Sequence, residues 1–318
     1  MVTAPNPGPP IVGADWLAEH LDQVTVADVR WYLDGRSGYD AYLAKHLPGA
    51  IFVDLDRYLS GPPAPDAGRH PLPTPAAFAA GMSSLGISDG ATVVGYDDDG
   101  GRTAARLVWL LRATGHAASL LDGGIQAWPG PYESGGEGPS SKSQGSSGRG
   151  GIFPTGQSPA GQSLSGQSLS GQSLSGQPPS RQPPSRQPPA HPWPAHRLAS
   201  AAEVASAAVV LDARAPERYR GEVEPIDARA GHIPGARNAP AAGNLDDHGR
   251  FKSPDELRAW YEDLGVTPGS SPVVYCGSGV TACHDLLALE WAGFDGGRLY
   301  PGSWSQWSAD PDRPVETG

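Results

Sequence analysis

The sequence predicts an α/β protein built from two copies of one domain, each with a parallel sheet that helices cover on both faces. Short apolar, β-prone runs alternate with helical patterns along the chain, and the same landmarks recur in the same order in both halves. Strands that alternate with helices through short connections are typical of parallel sheets buried on both faces. The length, 318 residues, is sufficient for two domains of ordinary size.

The internal duplication is indicated by several matching pairs of segments. In order along the chain, segments 26–30, 46–50, 85–87, 94–97 and 121–124 match segments 210–214, 232–236, 264–266, 274–276 and 300–303. A tryptophan follows the last segment of each copy, Trp128 in the first and Trp307 in the second. We therefore expect two domains, at residues 11–129 and 197–315.

The segment between the two copies, residues 130–196, differs from them in composition. It contains Gly-Gln-Ser-Leu-Ser three times from Gly161 to Ser175, and a Gln-Pro-Pro-Ser-Arg repeat begins at Gln177. With few β-branched or aromatic residues, such a chain buries too little apolar surface to offset the entropy lost on ordering. We predict a long disordered linker whose second part is polyproline-like.

The elements of the second copy follow from local patterns. We predict strands at 209–213, 273–275 and 298–300, and helices at 253–264 and 282–292. Ser253 with Glu256 three residues later is the signature of a capping box, and Gly293 is a typical helix end.

Cys276 stands where the strand 273–275 enters a tight loop before a helix. Backbone N–H groups in such a loop converge on one point, and the helix N-terminus adds positive partial charge there. We expect a thiol at this place to react as a thiolate. Open α/β sheets bind ligands at the carboxyl ends of their strands, so the loop should face a cleft. Cys283, on the following helix, is interpreted as a buried core residue.

Composition argues against several classes of protein. The formal net charge of -11 disfavours a nucleic-acid partner. Two cysteines cannot form a disulfide framework and fit a reducing compartment. No run reaches the roughly 18 apolar residues of a membrane helix, and residues 1–10 lack the pattern of a signal peptide. We therefore expect a cytoplasmic protein without a membrane partner.

These features together resemble the tandem-domain rhodanese family, which includes thiosulfate and 3-mercaptopyruvate sulfurtransferases. The loop 276–282 is similar to the active-site loop of the 3-mercaptopyruvate enzymes, and the box 232–236 and the run 301–304 are further family marks. In this family only the C-terminal domain carries the catalytic cysteine. The same division occurs here, because Asp97 takes the corresponding place in the first copy.

The resemblance implies a rhodanese-like fold in both domains and sulfur transfer through a persulfide on Cys276. The donor would be thiosulfate or 3-mercaptopyruvate, and the acceptor would be cyanide, a thiol or a reduced thioredoxin-like protein. Neither a cofactor nor a metal is expected, and we expect a monomer.

The resemblance also implies a donor site around the loop. Its expected members are Gly277, Gly279, Val280, Thr281, Arg218 and Arg229. The glycines let the backbone curl around the sulfur, and an arginine suits a carboxylate or sulfonate-like end. Arg218 takes the place of the family's donor-binding arginine. The second arginine of the 3-mercaptopyruvate enzymes is missing, because Ile226 and Asp227 follow the Glu-Pro pair, so we expect Arg229 to substitute.

The resemblance also implies a set of three interacting side chains that come from both domains. By position, Asp56 and His70 of the first copy match an acid and a histidine that work with the loop serine, Ser278. Such a trio would activate the leaving group or a water molecule.

Alternative interpretations of the loop stay open on the residues alone. Gly277, Gly279 and Ala282 fit the Gly-x-Gly-x-x-Gly/Ala pattern of a dinucleotide site, although the expected acidic residue about 20 positions later is not evident. A cysteine phosphatase is disfavoured, because the loop contains no basic residue. A non-enzymatic sulfur carrier or binding module remains the main alternative to an enzyme.

Overall fold

The computed structural model describes residues 8–136 and 190–318. The strands of the first domain are β1 (Ile11–Val12), β2 (Thr25–Asp28), β3 (Ile51–Phe52), β4 (Val93–Tyr96) and β5 (Ala118–Leu121). Its helices are α1 (Ala14–His20), α2 (Gly38–Ala44), α3 (Leu55–Tyr58), α4 (Pro75–Ser84) and α5 (Ala104–Ala113). The strands form one sheet in the order β1-β5-β4-β2-β3, and every neighbouring pair is parallel.

The second domain repeats this arrangement. Its strands are β6 (Val210–Asp212), β7 (Arg237–Asn238), β8 (Val273–Tyr275) and β9 (Arg298–Leu299), and its helices are α6 (Ala201–Val204), α7 (Pro216–Tyr219), α8 (Pro254–Asp263), α9 (Ala282–Trp291) and α10 (Ser303–Ala309). The sheet is parallel, with the order β7-β6-β8-β9. A parallel bridge from Leu198 to Leu299 lies where β1 pairs in the first domain. The predicted fold class is confirmed.

The structure contains both local features predicted for the second copy, the capping box at Ser253 and the helix-ending glycine at Gly293. Ser253 Oγ accepts a hydrogen bond from the Glu256 N–H at 3.3 Å, and the Glu256 carboxylate accepts from the Ser253 N–H at 3.0 Å, which completes the capping box before α8. Gly293, with φ of +85°, follows the end of α9.

The duplicated segments build the same buried ion pair in each domain. Asp28 and Arg30 pair at 2.6 Å, and Asp212 and Arg214 pair at the same distance. Both aspartates are fully buried and their arginines nearly so. Because a buried charge is stable only when it is paired and hydrogen-bonded, this requirement explains why the Asp-x-Arg spacing occurs twice.

Both described ends of the predicted linker, residues 130–136 and 190–196, have residues that contact the first domain; residues 137–189 lie outside the described part. Glu133 forms an antiparallel bridge with His46, with both N–H···O bonds at 2.9 Å. Trp193 donates from Nε1 to the Pro73 carbonyl at 2.8 Å, and its ring lies 5.3 Å from that of Phe78. The folded part therefore continues past residue 129 and resumes before residue 197.

One apolar core cluster spans both domains, and each domain has a further cluster of its own. Residues of α5, including Leu107 and Leu110, belong to the same buried cluster as Leu286 and Leu289 of α9, and the two helices contact each other. The described residues of both domains accordingly belong to one compact unit. Within the described ranges, the helices are too short or too polar to cross a membrane.

Candidate active site

Cys276 follows β8 and begins the loop that leads to α9, here called the Cys276 loop (residues 276–281). The side chain is 3% exposed, and the Gly279 N–H donates to Sγ at 3.1 Å. The backbone of Cys276 is held by the start of α10: its N–H donates to Ser303 Oγ at 3.2 Å, and its carbonyl accepts from the Trp304 N–H at 3.0 Å. The sulfur therefore has a fixed position beside a backbone donor.

Ser303 holds this position at a conformational cost. Its φ is +52°, which makes it the one non-glycine residue with positive φ in the part of the chain that the structure describes. Such conformations cost roughly 1–3 kcal/mol and persist where surrounding contacts enforce them. Here the enforced conformation lets Ser303 Oγ both accept from Cys276 and donate to the Tyr300 carbonyl at 2.9 Å.

A cavity of about 370 Å³ lies over Cys276 and is lined by both domains. Trp31, Arg69 and His70 line it from the first domain, while Cys276 and Arg218 line it from the second. The expected loop members Gly277, Ser278, Val280 and Thr281 also line the cavity. The carboxyl end of β8 thus opens into a cleft, as expected for an open α/β sheet.

The structure brings the predicted trio of Asp56, His70 and Ser278 together across the domain boundary. Ser278 Oγ lies 2.7 Å from His70 Nδ1, and His70 Nε2 lies 3.3 Å from Asp56 Oδ1. The other oxygen of Asp56 accepts a hydrogen bond from Trp31 Nε1 at 3.0 Å. Burial lowers the pKa of His70, which favours the neutral ring. A carboxylate at Nε2 then favours the tautomer in which Nδ1 accepts the hydroxyl proton of Ser278.

Two arginines approach the Cys276 loop, one from each domain. A Cβ atom built on Gly277 would lie 3.0 Å from Arg69 Nη2 and 3.4 Å from Arg218 Nη1. Arg218 also pairs with Glu224 at 2.6 Å, and Arg69 pairs with Asp227. Sequence reasoning placed Arg218 here but missed Arg69. The signal available for Arg69 was its position next to His70 in the chain.

Arg229 does not line the cavity, and this corrects the expectation that it binds the donor. Its guanidinium donates to the carbonyls of Ser308 at 2.9 Å, Arg313 at 2.8 Å and Trp307 at 3.0 Å. These carbonyls lie in and just after α10, whose last carbonyls lack helical partners. Arg229 therefore caps the C-terminal end of α10, because that end presents several acceptors at once.

Gly279 is required by the shape of the loop. Its φ is +83°, and a Cβ atom there would lie 2.6 Å from the carbonyl oxygen of Pro301. Both the backbone conformation and the available space therefore exclude a side chain.

The equivalent loop of the first domain, here called the Asp97 loop (residues 97–103), collects its backbone N–H groups around a carboxylate. One oxygen of Asp97 accepts from Asp99 and Gly101 at 2.9 and 2.8 Å, and the other accepts from Thr103 and Ala104 at 2.8 and 2.9 Å. Burial raises the pKa of Asp97, and these four donors oppose the rise. The first domain thus fills its own anion-binding nest.

Arg106 of α5 connects the first domain to the Cys276 loop. The side chain is fully buried, and it donates to the carbonyls of Gly279 at 3.0 Å, His70 at 3.1 Å and Leu59 at 3.3 Å. His284 of α9 makes the reciprocal contact, because its Nε2 lies 3.0 Å from the Gly100 carbonyl of the Asp97 loop. Sequence reasoning missed both contacts.

Cys283 is fully buried on α9, as predicted. Its thiol lies 3.5 Å from the Gly279 carbonyl, and burial raises its pKa to about 12. A thiol with this pKa stays protonated at neutral pH and is a poor nucleophile. In the described residues, no group of three or more His, Cys, Asp or Glu side chains is arranged to hold a metal ion.

A family model for the rhodanese-like domain matches residues 13–130 and again residues 195–310. The chain belongs to the rhodanese family. Rhodanese domains therefore account for both copies of the duplication, including the copy in which Asp97 replaces the cysteine.

Whole-length relatives of this rhodanese protein carry the names of sulfurtransferases. SseB from Mycobacterium tuberculosis, named as a thiosulfate sulfurtransferase, is 40% identical over 93% of this chain and 92% of its own length. A protein named as a 3-mercaptopyruvate sulfurtransferase from Pseudomonas aeruginosa is 41% identical over 97% of this chain and 98% of its own length. Among solved structures, SseA from Escherichia coli, a 3-mercaptopyruvate enzyme, matches at 29% identity with a TM-score of 0.69, covering 93% of this chain and 99% of that one.

We predict that Gly279→Ala lowers both stability and sulfur transfer. The substitution adds a contact with Pro301 to the cost of a positive φ, so we expect a loss of about 2–4 kcal/mol in the free energy of unfolding, measured with urea. Gly269→Ala is the matched control, because Gly269 has φ of +79° and open space around its Cβ position. Equal losses for the two variants would show that Pro301 does not restrict the loop.

We predict that Asp97→Asn destabilises the protein by about 1–3 kcal/mol, because one amide NH₂ group must face two backbone N–H donors. Asp246→Asn is the control: a single oxygen of Asp246 accepts from His248 and Arg250, so an asparagine oxygen can replace it. Urea unfolding of both variants measures the difference. A loss for Asp97→Asn no larger than that for Asp246→Asn would contradict the prediction.

Proposed function

We propose that this rhodanese is a sulfurtransferase that carries the transferred sulfur as a persulfide on Cys276. The observation that supports this most directly is the position of the Cys276 sulfur, 3.1 Å from the Gly279 N–H, in a cleft that arginines line. A backbone donor at this distance stabilises an anionic sulfur, which the reaction needs both before and after transfer. The names of the whole-length relatives agree with this chemistry.

In the first step the Cys276 thiolate attacks the outer sulfur of the donor. An S–S bond forms at Sγ, and the bond between the outer sulfur and the rest of the donor breaks. With thiosulfate the bonding pair leaves on sulfite. With 3-mercaptopyruvate it leaves on the pyruvate enolate, whose carbon then takes a proton.

In the second step an acceptor attacks the outer sulfur of the persulfide, and the bonding pair returns to Cys276 as the thiolate. Cyanide gives thiocyanate, and a thiol gives a new persulfide. A reduced thioredoxin-like dithiol gives its disulfide with release of hydrogen sulfide. Because the donor product leaves before the acceptor reacts, we expect ping-pong kinetics.

We propose that Ser278, His70 and Asp56 carry out a proton transfer that is needed with 3-mercaptopyruvate and not with thiosulfate. The sulfur of 3-mercaptopyruvate carries a proton that the enolate carbon must receive, whereas transfer from thiosulfate moves no proton. The 2.7 Å contact between Ser278 Oγ and neutral His70 provides a hydroxyl that can pass a proton through the ring. This arrangement supports 3-mercaptopyruvate as the preferred donor.

We further propose that the protein acts as a monomer in the cytoplasm, without a cofactor. Cys276 and Cys283 are both free and buried, which suits a reducing compartment. The cleft over Cys276 is formed by two domains of the same chain, so a second copy is not needed to complete it.

We predict that Cys276→Ser reduces sulfur transfer from thiosulfate and 3-mercaptopyruvate by about 1,000-fold or more, because a hydroxyl cannot form the persulfide. Cys283→Ser is the matched control and should keep most of the activity, since its thiol stays protonated. The steady-state rate of sulfur transfer to cyanide measures the activity of both variants. Single-turnover mass spectrometry should find an added 32 Da, the mass of one sulfur atom, on Cys276. A sulfur carrier would acquire this mass without turnover, and that result would contradict the proposal.

We predict that Ser278→Ala lowers kcat with 3-mercaptopyruvate by about 100-fold, because proton transfer through the hydroxyl is lost. Turnover of thiosulfate by the same variant is the internal control and should change little. Similar losses with both donors would indicate that Ser278 shapes the loop and does not move a proton.

A further inference from the structure

Trp31 lies beside the trio of Ser278, His70 and Asp56, and the proposed mechanism gives it no role. Its indole Nε1–H donates to Asp56 Oδ2 at 3.0 Å. Its ring is perpendicular to the ring of His70, with the two centroids 5.5 Å apart, and it lines the cavity over Cys276. One side chain of the first domain therefore contacts both the carboxylate and the imidazole of the trio.

The exposed carboxylate of Asp56 needs a contact of this kind to stay in place. Its side chain is 64% exposed and that of His70 is 12% exposed, so water competes mainly for the carboxylate. The distance from Asp56 Oδ1 to His70 Nε2 is 3.3 Å, and an exposed contact of this kind contributes little alone, because side-chain entropy and solvent screening oppose it. The hydrogen bond from the indole to Oδ2 restricts the carboxylate to orientations in which Oδ1 faces His70.

Trp31 is itself fixed by the fold. It follows Arg30, whose guanidinium pairs with Asp28 and donates to the Lys45 carbonyl, each at 2.6 Å. The indole packs against the apolar core cluster that spans both domains. Because a tryptophan side chain has only two χ angles, little entropy is lost in holding it. The indole N–H is therefore a rigid donor.

The duplication shows that the fold does not require a tryptophan at this position. Segments 26–30 and 210–214 match, so Trp31 corresponds to Ala215 of the second domain, which also lines the cavity. The second domain forms the same buried pair, Asp212 with Arg214, without an indole after it. The reason for a tryptophan in the first domain therefore lies in its contacts with Asp56 and His70.

We propose that Trp31 is a positioning residue for sulfur transfer from 3-mercaptopyruvate. Its indole N–H holds the Asp56 carboxylate against His70 Nε2, so that the ring keeps the tautomer whose Nδ1 accepts the hydroxyl proton of Ser278. Trp31 gives up no proton itself. The inference rests on the proposed proton transfer for its effect on turnover, while the hydrogen bond is testable in the resting protein.

Trp31→Phe keeps a ring beside His70 and removes the N–H donor. We expect kcat with 3-mercaptopyruvate to fall by about 5- to 10-fold, a smaller loss than that for Ser278→Ala, because the proton path remains but is misaligned for part of the time. Turnover of thiosulfate should change by less than about 2-fold, since that transfer moves no proton. Equal losses with both donors would show that Trp31 only shapes the cavity, and the inference would be overturned.

A double-variant cycle tests whether Trp31 acts through Asp56. Asp56→Ala should lower kcat with 3-mercaptopyruvate, and adding Trp31→Phe should cause no further loss, because the acceptor of the indole proton is already absent. If the two losses multiply in the double variant, Trp31 acts independently of Asp56, which contradicts the inference.

Trp16→Phe is the matched control. Trp16 lies in the first domain and also packs against a histidine, His20, with the ring centroids 4.3 Å apart, but it does not line the cavity over Cys276. Its substitution should leave kcat unchanged with both donors. A selective loss with 3-mercaptopyruvate in this variant would mean that the effect of Trp31→Phe is not specific to the trio.

NMR spectroscopy of the resting protein tests the contact without turnover. The indole N–H signal of Trp31, one of nine in the chain, is identified by its absence from Trp31→Phe and should shift in Asp56→Ala. Burial lowers the pKa of His70, Asp56 raises it, and Arg106 and Arg69 lower it further. An Asp56 carboxylate released by Trp31→Phe should therefore leave the pKa of His70 lower than in the wild-type protein. If both signals are unchanged, the inference is overturned.

The results separate this inference from the proposed function. Selective losses for Ser278→Ala and Asp56→Ala without one for Trp31→Phe would support the proton path and overturn the role of Trp31. NMR evidence for the contact in a wild-type protein that transfers no sulfur would refute the proposed function and support the positioning of Asp56 by Trp31.

Discussion

The geometry of the active site depends on the buried guanidinium of Arg106. Its N–H groups must find acceptors, because an unpaired buried donor is costly, and they find the carbonyls of Leu59, His70 and Gly279. One side chain of the first domain thereby holds the histidine of the trio and the glycine whose N–H faces the Cys276 sulfur. The packing of α5 against α9 brings these groups into reach, and the cleft forms where the two domains meet.

The two domains hold different side chains in equivalent loops. Each ends a central strand in a loop whose backbone donates to one point, through four N–H groups in the first domain and through the Gly279 N–H in the second. In the first domain that point holds the carboxylate of Asp97, which accepts four backbone hydrogen bonds and closes the loop. In the second domain it holds the sulfur of Cys276, which remains next to a cavity. The first domain has therefore no thiol chemistry of its own, and its contribution is to the walls of the cleft.

At these walls, side chains of the first domain pair with side chains of the second. His70 and Arg69, adjacent in the first domain, meet Ser278 and Asp227 of the second. Burial lowers the pKa of His70, which favours its neutral ring. Burial also raises the pKa of Asp227, and the neighbouring Arg69 opposes that rise. Docking of the domains thus completes the proton path that we propose and brings Arg69 to the cavity over Cys276.

The sequence alone determined the parallel α/β class, the duplication and the place of Cys276 between a strand and a helix, because periodicity, caps and a strand-loop-helix signature are local properties. Resemblance to a family located Asp56 and His70, whose contact with the loop no local pattern predicts. Only the tertiary structure decided where the long arginine side chains point. Arg229 caps α10, while Arg69 enters the cleft, because a flexible guanidinium goes to the acceptors that folding brings near it, and those acceptors lie far away in the sequence.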